Sequence, residues 1–294
     1  MNNLLALATT AKARGHDHDL AILATALDAC NQPFQIVDWD DPSINWSQFA
    51  VVVLRSTWDY HQRYEQFLDW VNLVSAVTTL HNPVEIVRWN TDKIYLQELA
   101  QADIPVIATS FVHDASDIDT ALLNADIVVK PIISAGSNNT ARHRANAANA
   151  DEHVRKILAS GVAALVQPYV STIDAMGERG LVYLNGEFSH AFHKAAIFSN
   201  AAQDHNGVFV EEKISSHSAT AGEHILGERV CQFVAHRFGV SPLYARIDMV
   251  IGTNGESQLM EVELTEPSLY LHTDPVAPDR AASALVSAVT ATQR

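Results

Sequence analysis

Four charged residues near the C-terminal end have the types and spacing for chemistry: Arg246, Asp248, Glu261 and Glu263. They stand in the run Tyr244-Ala-Arg-Ile-Asp-Met-Val-Ile-Gly-Thr-Asn-Gly-Glu-Ser-Gln-Leu-Met-Glu-Val-Glu-Leu264, which reads as two strands around a tight turn. Asn254-Gly255 is a strong hairpin signal, because both central residues of a type I′ turn need positive φ. With those two as the turn, Thr253 pairs with Glu256, Asp248 falls opposite Glu261, and Arg246 falls opposite Glu263. Strand alternation then puts these four on one face and Ile247, Met249, Met260 and Val262 on the other. Carboxylates directly opposite in a ladder repel, so one reading places a cation between them. Oxygen ligands of this kind suit Mg²⁺ or Mn²⁺, held by a few carboxylates plus substrate phosphates. The other reading is a solvated acidic face with Arg246 as its counter-ion.

The elements that would position such a site begin with an α/β unit. Short segments at 4–8, 35–37 and 50–54 read as strands, the last wholly apolar as in a buried parallel strand. Helices are expected over 19–30 and 62–77, the second with Tyr64, Phe67, Leu68, Val71 and Val74 at helical spacing. Open sheets of this kind bind ligands at the carboxyl ends of their strands. Arg55-Ser-Thr-Trp-Asp-Tyr60 falls at that place, and the Arg55 fork suits a carboxylate or phosphate. The same segment also reads as a loop in which Asp59 caps the next helix and Trp58 packs on the core.

Further along, a helix is expected from Thr91 or Asp92 to Gln101, with Lys93 in its first turn, where a cation opposes the helix dipole. Residues 104–109 and 125–131 read as strands, the latter carrying Lys130 near its end. Ser134-Ala-Gly-Ser-Asn-Asn-Thr140 is small and polar, so its N–H groups could surround phosphate oxygens, or it could be a surface hairpin tip. It is not a Walker A motif, and the chain has no G-x-G-x-x-G. A helix at 151–160, a strand at 163–170, a second Asn-Gly hairpin at 181–190 continuing toward Phe198, and helices at 223–238 and 279–292 complete the expected order.

Composition bounds the partners. The 294 residues suffice for two domains or one large one, and 48% hydrophobic content supports a substantial core. A net charge of −15 argues against nucleic acid or an anionic membrane, both of which need a cationic surface. No apolar stretch is long enough to span a membrane, and the N-terminal run lacks the features of a signal peptide. Two distant cysteines, Cys30 and Cys231, read as reduced thiols of a cytoplasmic protein. His16-Asp-His18 and His190-Ala-Phe-His193 resemble ligand pairs, but zinc needs a third or fourth ligand and none stands at a recognisable spacing.

Lys93, Lys130, the small-residue loop, Gln167-Pro-Tyr-Val170, Arg246-x-Asp248 and Glu261-x-Glu263 follow one another in a set order. That order resembles the ATP-grasp superfamily, on the branch of glutathione synthetase and the RimK-type ligases, across about residues 86–270. The resemblance implies an α/β fold with α+β grasp domains. Residues 1–85 would form an open parallel α/β substrate domain, 86–168 a central subdomain with the phosphate loop, and 169–294 a C-terminal subdomain with the metal. It also implies roles. Lys93 and Lys130 would hold ATP phosphates, with Ser134, Gly136 and Ser137 in the loop closing over them. Gln167, Tyr169 and Val170 would read adenine, and Asp174, or alternatively Glu178, the ribose. Lys194 and Arg246 would stabilise the transferring phosphoryl group, while Asp248, Glu261 and Glu263 would hold Mg²⁺, with Mn²⁺ a substitute. Many family members carry Asn where this chain has Glu263, and the usual glycine-rich loop is reduced to Gly136.

Arg55-Ser-Thr-Trp-Asp-Tyr60, Val87-Arg-Trp-Asn-Thr-Asp-Lys93 and Val129-Lys-Pro-Ile-Ile-Ser-Ala-Gly-Ser137 are similar to a narrower bacterial ATP-grasp subgroup. It includes the ligase that closes the D-cycloserine ring from O-ureido-D-serine. The implied activity is ATP-dependent ligation of a carboxylate to a nitrogen nucleophile through an acyl phosphate, on a small amino-acid-like substrate. Arg55, Ser56, Thr57, Asp59 and Tyr60 would meet the substrate, and His190 the nucleophile. A homodimer is the expected assembly. Two other classes stay open: a nucleotide-binding regulatory protein on a degenerate grasp fold, and a small-molecule kinase.

Overall fold

The computed structural model describes residues 3–196 and 213–292; the expected continuation of the second hairpin to Phe198 lies outside them. Among the described residues the chain forms three sheets. The first is parallel, in the order β2-β1-β3-β4, from β1 (Leu5–Thr9), β2 (Phe34–Asp38), β3 (Val51–Ser56) and β4 (Thr79–His81). Its central strands β1 and β3 are buried at every position, which explains their unbroken apolar runs. Helices α1 (His18–Ala29) and α2 (Tyr64–Val77) flank it, α1 being capped by Asp17, which accepts from the N–H groups of Asp19 and Leu20.

A link of two helices follows, α3 (Val84–Thr91) and α4 (Tyr95–Gln101). The single helix expected from residue 91 to 101 is therefore broken, and Lys93 sits in the break. Its N–H donates to Ile132 O at 3.0 Å instead of entering a helix. The second sheet is antiparallel, in the order β5-β8-β6-β7, from β5 (Ser110–Val112), β6 (Asp126–Pro131), β7 (Ala141–Arg144) and β8 (Ala164–Pro168). Helices α5 (Thr120–Leu123) and α6 (Ala147–Ala159) cover it, Val154 and Ile157 packing on Ile127, Val129 and Val166. Residues 104–109 are not the expected strand. They cross to the third sheet as an extended link, with a bridge of Val106 to Leu259 and bonds from Ile107 N to Leu259 O (3.0 Å) and Leu259 N to Pro105 O (2.7 Å). Pro105 has no N–H to give a ladder, which helps explain why the pairing stays short.

The third sheet is antiparallel, in the order β11-β10-β9-β12-β13. Helix α7 (Ile173–Met176) leads into β9 (Glu178–Leu184), which joins β10 (Glu187–Lys194) through Asn185 and Gly186, both at positive φ as the type I′ turn requires. Then come β11 (Ile214–His217), α8 (Ala221–Phe238), β12 (Tyr244–Ile251), β13 (Ser257–Glu263) and α9 (Ala277–Ala291). Thr220 and Glu223 form a capping box at the start of α8, and Gly239 ends it in the left-handed conformation. Helix α9 packs on α1, and their shared core reaches Leu5, Val53, Val182 and Leu184, joining the first and third sheets.

The closing hairpin differs from expectation in a way that bears on the site. Gly252 N donates to Glu256 O (2.7 Å) around a three-residue loop, and only Gly255 of the Asn-Gly pair has positive φ. That loop shifts the inner register by one: Met249 pairs with Leu259, not Met260. A bulge between Asp248 and Met249 then restores it, so Asp248 does oppose Glu261 and Arg246 does oppose Glu263. Leu259 takes the core position, and Met260 turns to the opposite face.

Candidate active site

The facing sheets enclose a cleft of about 590 Å³ whose floor is the outer hairpin. Lys93 from the helix break, Lys130 from β6, Lys194 from β10, and Arg246, Asp248, Glu261 and Glu263 from β12 and β13 all line it. Lys93 and Lys130, 4% and 8% exposed, converge on Glu261 at 3.2 and 3.4 Å. The Lys93 ammonium also donates to Ser134 O at 2.9 Å. Arg246 donates from Nε to Asp248 Oδ1 (2.9 Å), from Nη2 to Asp248 Oδ2 (2.7 Å) and to Glu263, and from Nη1 to Ser268 O (2.9 Å). Lys194 lies 3.8 Å from Glu178.

These contacts divide the carboxylates. Burial pushes the Glu261 carboxyl up, but the Lys130 and Lys93 charges overcome it and hold it down near 2. Burial pushes Glu263 up, and repulsion from Asp248 and Glu261 adds to this against Arg246. Glu266 is raised to about 8 by burial and by the charge of Glu263. The cleft thus holds more carboxylate than its own cations compensate. Among the described residues, no three acidic or histidine side chains converge on one point, since Asp248 and Glu263 are turned onto Arg246 and Glu261 onto the lysines. Two carboxylates completed by phosphate oxygens are nevertheless a usual site for a hard divalent cation. The donor set and its excess charge fit one.

A prediction follows from Glu266. A carboxyl raised in the folded state binds its proton more tightly there than in the unfolded chain. Its contribution to stability is present below the ordinary carboxylate pKa and is lost as pH rises through about 8. Urea unfolding of nucleotide-free protein should show a smaller loss of stability between about pH 5 and about pH 8 in Glu266→Gln than in wild type. Identical pH slopes in the two would contradict the shift.

Ser134, Gly136, Ser137 and Thr140 line the cleft opposite the hairpin. Gly136, Ser137 and Asn139 all have positive φ, the left-handed conformation found in backbone turns that can cradle anions. At the other end Gln167, Tyr169 and Val170 form the joint between sheets, walled by Ile107, Val128, Ile173 and Met260. Gln167 donates to Thr109 Oγ1 at 2.9 Å. Tyr169 N donates to Asp126 O at 2.8 Å, and the Arg142 guanidinium lies 3.3 Å from the centre of its ring. The Tyr169 N–H is thus already engaged within its own sheet.

Several expected site residues lie outside this cleft. Asp174 accepts from the Tyr169 hydroxyl at 2.6 Å and does not line it, whereas Glu178 does. Arg55, 1% exposed, donates to Pro267 O at 3.1 Å behind the cleft wall. Ser56 pairs with Thr9 at 2.7 Å, Thr57 is buried, and Asp59 accepts from Trp39 (3.0 Å) and Arg63 (2.6 Å). Of that segment Tyr60 and Trp58 reach the cleft. Arg55 and Ser56 are the last residues of β3, not a loop, so their side chains alternate into the packed layers. His190 is also turned away: its Nε2 meets Leu269 O at 2.7 Å, and its Nδ1 meets Ser189 at 2.9 Å. Both ring nitrogens are engaged.

The wall that stands in their place is the segment after β13, which places Glu266, Ser268 and Tyr270 in the cleft. Buried Asp19 accepts from the N–H groups of Leu269 (2.6 Å), Tyr270 (2.9 Å) and Leu271 (2.8 Å). In the sequence Asp19 is indistinguishable from a helix-start acid, and the segment has no periodicity. The adjoining Glu261-x-Glu263 motif was the one signal that could have pointed to it.

Three sheets close on a cleft of buried lysines above a carboxylate-bearing hairpin. The sequence profile of the D-cycloserine synthetase DcsG N-terminal domain matches residues 5–82. The cycloserine biosynthesis protein DcsG of Streptomyces lavendulae is 34% identical over 280 residues, covering 91% of this chain and 93% of that one. The crystal structure of D-cycloserine synthetase DcsG superposes with a TM-score of 0.89 at 31% identity, over 97% and 99% of the two chains. D-alanyl-alanine synthetase A from Vibrio cholerae shares the fold, with a TM-score of 0.69 at 15% identity over 99% of each chain. The chain belongs to the D-cycloserine synthetase DcsG family of ATP-grasp ligases. It is an enzyme, a ligase of the class that forms carbon–nitrogen bonds. No helix among the described residues is long and apolar enough to cross a membrane.

Proposed function

We propose that the cleft binds ATP with Mg²⁺ and transfers the γ-phosphoryl group to a substrate carboxylate. A nitrogen nucleophile then attacks the acyl phosphate carbon, forms the C–N bond and expels phosphate. The observation that carries this reading is the convergence of Lys93, Lys130, Arg246, Asp248, Glu261 and Glu263 in one cleft. Lys93 and Lys130 hold the phosphates as point charges, and residues 134–140 cover them. Gln167, the Tyr169 carbonyl and Val170 N–H orient adenine, and Glu178, which borders the cleft, takes the ribose in preference to Asp174. Lys194 and Arg246 offset charge on the phosphoryl group as it moves. Asp248, Glu261 and Glu263 are the residues that would hold Mg²⁺, which when bound neutralises phosphate charge and draws electrons from the transferring group. Mn²⁺ suits the same oxygen ligands.

Similarity to a D-cycloserine synthetase supports a product of that kind, and the proposed substrate carries its own nitrogen nucleophile and closes to a ring. A screen of ADP release with Mg-ATP tests this against O-ureido-D-serine, common amino acids and small dicarboxylates. ADP and a cyclic product with O-ureido-D-serine are expected. Thermal stabilisation by Mg-ATP with no ADP from any substrate would leave a binding protein, and a stable phosphorylated product would leave a kinase.

A further inference from the structure

Asn138 and Asn139 form the tip of the 134–140 loop, and each meets a histidine from a different layer. Asn139 is held from its own layer: His153 Nε2, from α6, approaches Asn139 O at 3.2 Å and Oδ1 at 3.1 Å. Both partners are acceptors, so this nitrogen carries the proton. His153 Nδ1 then accepts from His143 Nε2 on β7, at 3.0 Å. Asn138 is held from the other side. Its Nδ2 lies 3.1 Å from Nε2 of His61, which belongs to the segment between β3 and α2. His61 Nδ1 faces the Trp58 carbonyl at 3.0 Å and must donate to it. In neutral His61 the Nε2 atom is therefore an acceptor, and the Asn138 amide donates to it.

We infer that His61 is a positioning residue that seats the 134–140 loop against the N-terminal layer, so that covering of the phosphates and placement of Trp58 in the cleft wall are set together. The inference rests on the ATP reading of this cleft. Three contacts support it beside the His61 bond. The Tyr60 hydroxyl donates to Ser134 O at 3.4 Å, and Lys93 donates to the same carbonyl, so the start of the loop touches both neighbours. The Trp58 indole donates to Glu266 O at 3.0 Å. A run of bonds thus passes from Asn138 through His61 and Trp58 to the wall segment after β13. Asn139–His153 keeps the loop in shape within its own layer, whereas Asn138–His61 joins it to another, and only the second is lost when the layers part.

A double-mutant cycle of His61→Ala and Asn138→Ala on kcat/KM for Mg-ATP tests this, using the full chain and O-ureido-D-serine. A neutral hydrogen bond predicts that each single variant raises the ATP KM roughly three- to tenfold, and that the double variant is no worse than either. ADP released per ligated product should rise in all three, because an unseated loop admits water. His61→Gln, whose side-chain amide can pair with Asn138, should recover most of the loss. Strictly additive losses, or a lowered Tm with KM and the ADP-to-product ratio unmoved, would overturn the inference. If His61→Ala fails to fold, Asn138→Leu carries the test. It keeps the side-chain shape and removes the donor to Nε2, so wild-type kinetics would overturn the inference too. Thermal stabilisation by Mg-AMP-PNP needs no substrate: none in wild type sinks the ATP reading itself, while equal stabilisation of wild type and Asn138→Ala sinks only the role of His61.

Discussion

Glu261→Gln is expected to lower kcat about 10³-fold, the scale seen when one preorganised charge-stabilising group is removed from a transition state, while the fold survives. Glu261 lies opposite Asp248 and is ionised at any working pH, because Lys130 and Lys93 hold its carboxyl near 2. Glutamine preserves its shape and removes the charge. Two effects then run in opposite directions. The proposed metal loses a ligand and the moving phosphoryl group loses its template. The two buried lysines, however, lose their shared counter-ion and present more positive charge to a phosphate. ATP without metal should therefore bind Glu261→Gln more tightly than wild type, even as turnover collapses. Asp248→Asn should lose turnover to a similar degree without that tightening, since Asp248 pairs with Arg246 and not with a lysine. Isothermal titration of metal-free ATP beside steady-state ADP release separates the two. Wild-type rates in both variants would refute the metal assignment, and weaker metal-free binding in Glu261→Gln would refute the placement of the lysines as phosphate ligands.

The parts legible in the sequence were those where residue type and local geometry dictate the same answer. Unbroken apolar runs announced β1 and β3, and Asn185-Gly186 announced the β9–β10 turn. Arg246, Asp248, Glu261 and Glu263 were placed in the correct register, but partly by two errors that cancel: a three-residue turn displaces the strands by one, and the bulge beside Asp248 displaces them back. A bulge leaves no compositional mark when the residue it turns outward, Met260, is as apolar as the one it buries, Leu259. The sequence around Lys93 reads as helix because propensity cannot see that Ile132 O competes for its N–H. Arg55 reads as a substrate contact because residues that follow a buried parallel strand commonly face a ligand, and His190 because its hairpin is expected to face the cleft. Here both turn to backbone carbonyls of a segment more than 75 residues distant in sequence, Pro267 and Leu269, and no local pattern encodes such a contact.

Arg246 is where stability and catalysis can be separated most cleanly. It is 6% exposed and serves Asp248, Glu263 and the Ser268 carbonyl together. Arg246→Ala leaves the buried Asp248 and the half-buried Glu263 without their counter-charge, and breaking a buried pair from one side costs about 3–5 kcal/mol. The urea midpoint of the nucleotide-free protein should fall accordingly, with turnover lost as well. Arg246→Lys is the informative partner. A lysine restores one positive charge, so part of the lost stability should return. It cannot hold Asp248 through two nitrogens and reach Ser268 O with a third, because an ammonium is a single point on a flexible stem. If the fork is what aligns the hairpin with the wall segment, Arg246→Lys should regain stability yet stay about 10²-fold slow in kcat. Mg²⁺ should also stabilise Arg246→Ala more than wild type, since the bared carboxylates then have only the added cation to meet. Recovery of both stability and rate by lysine would show that net charge, and not the planar geometry of Arg246, is what the cleft requires.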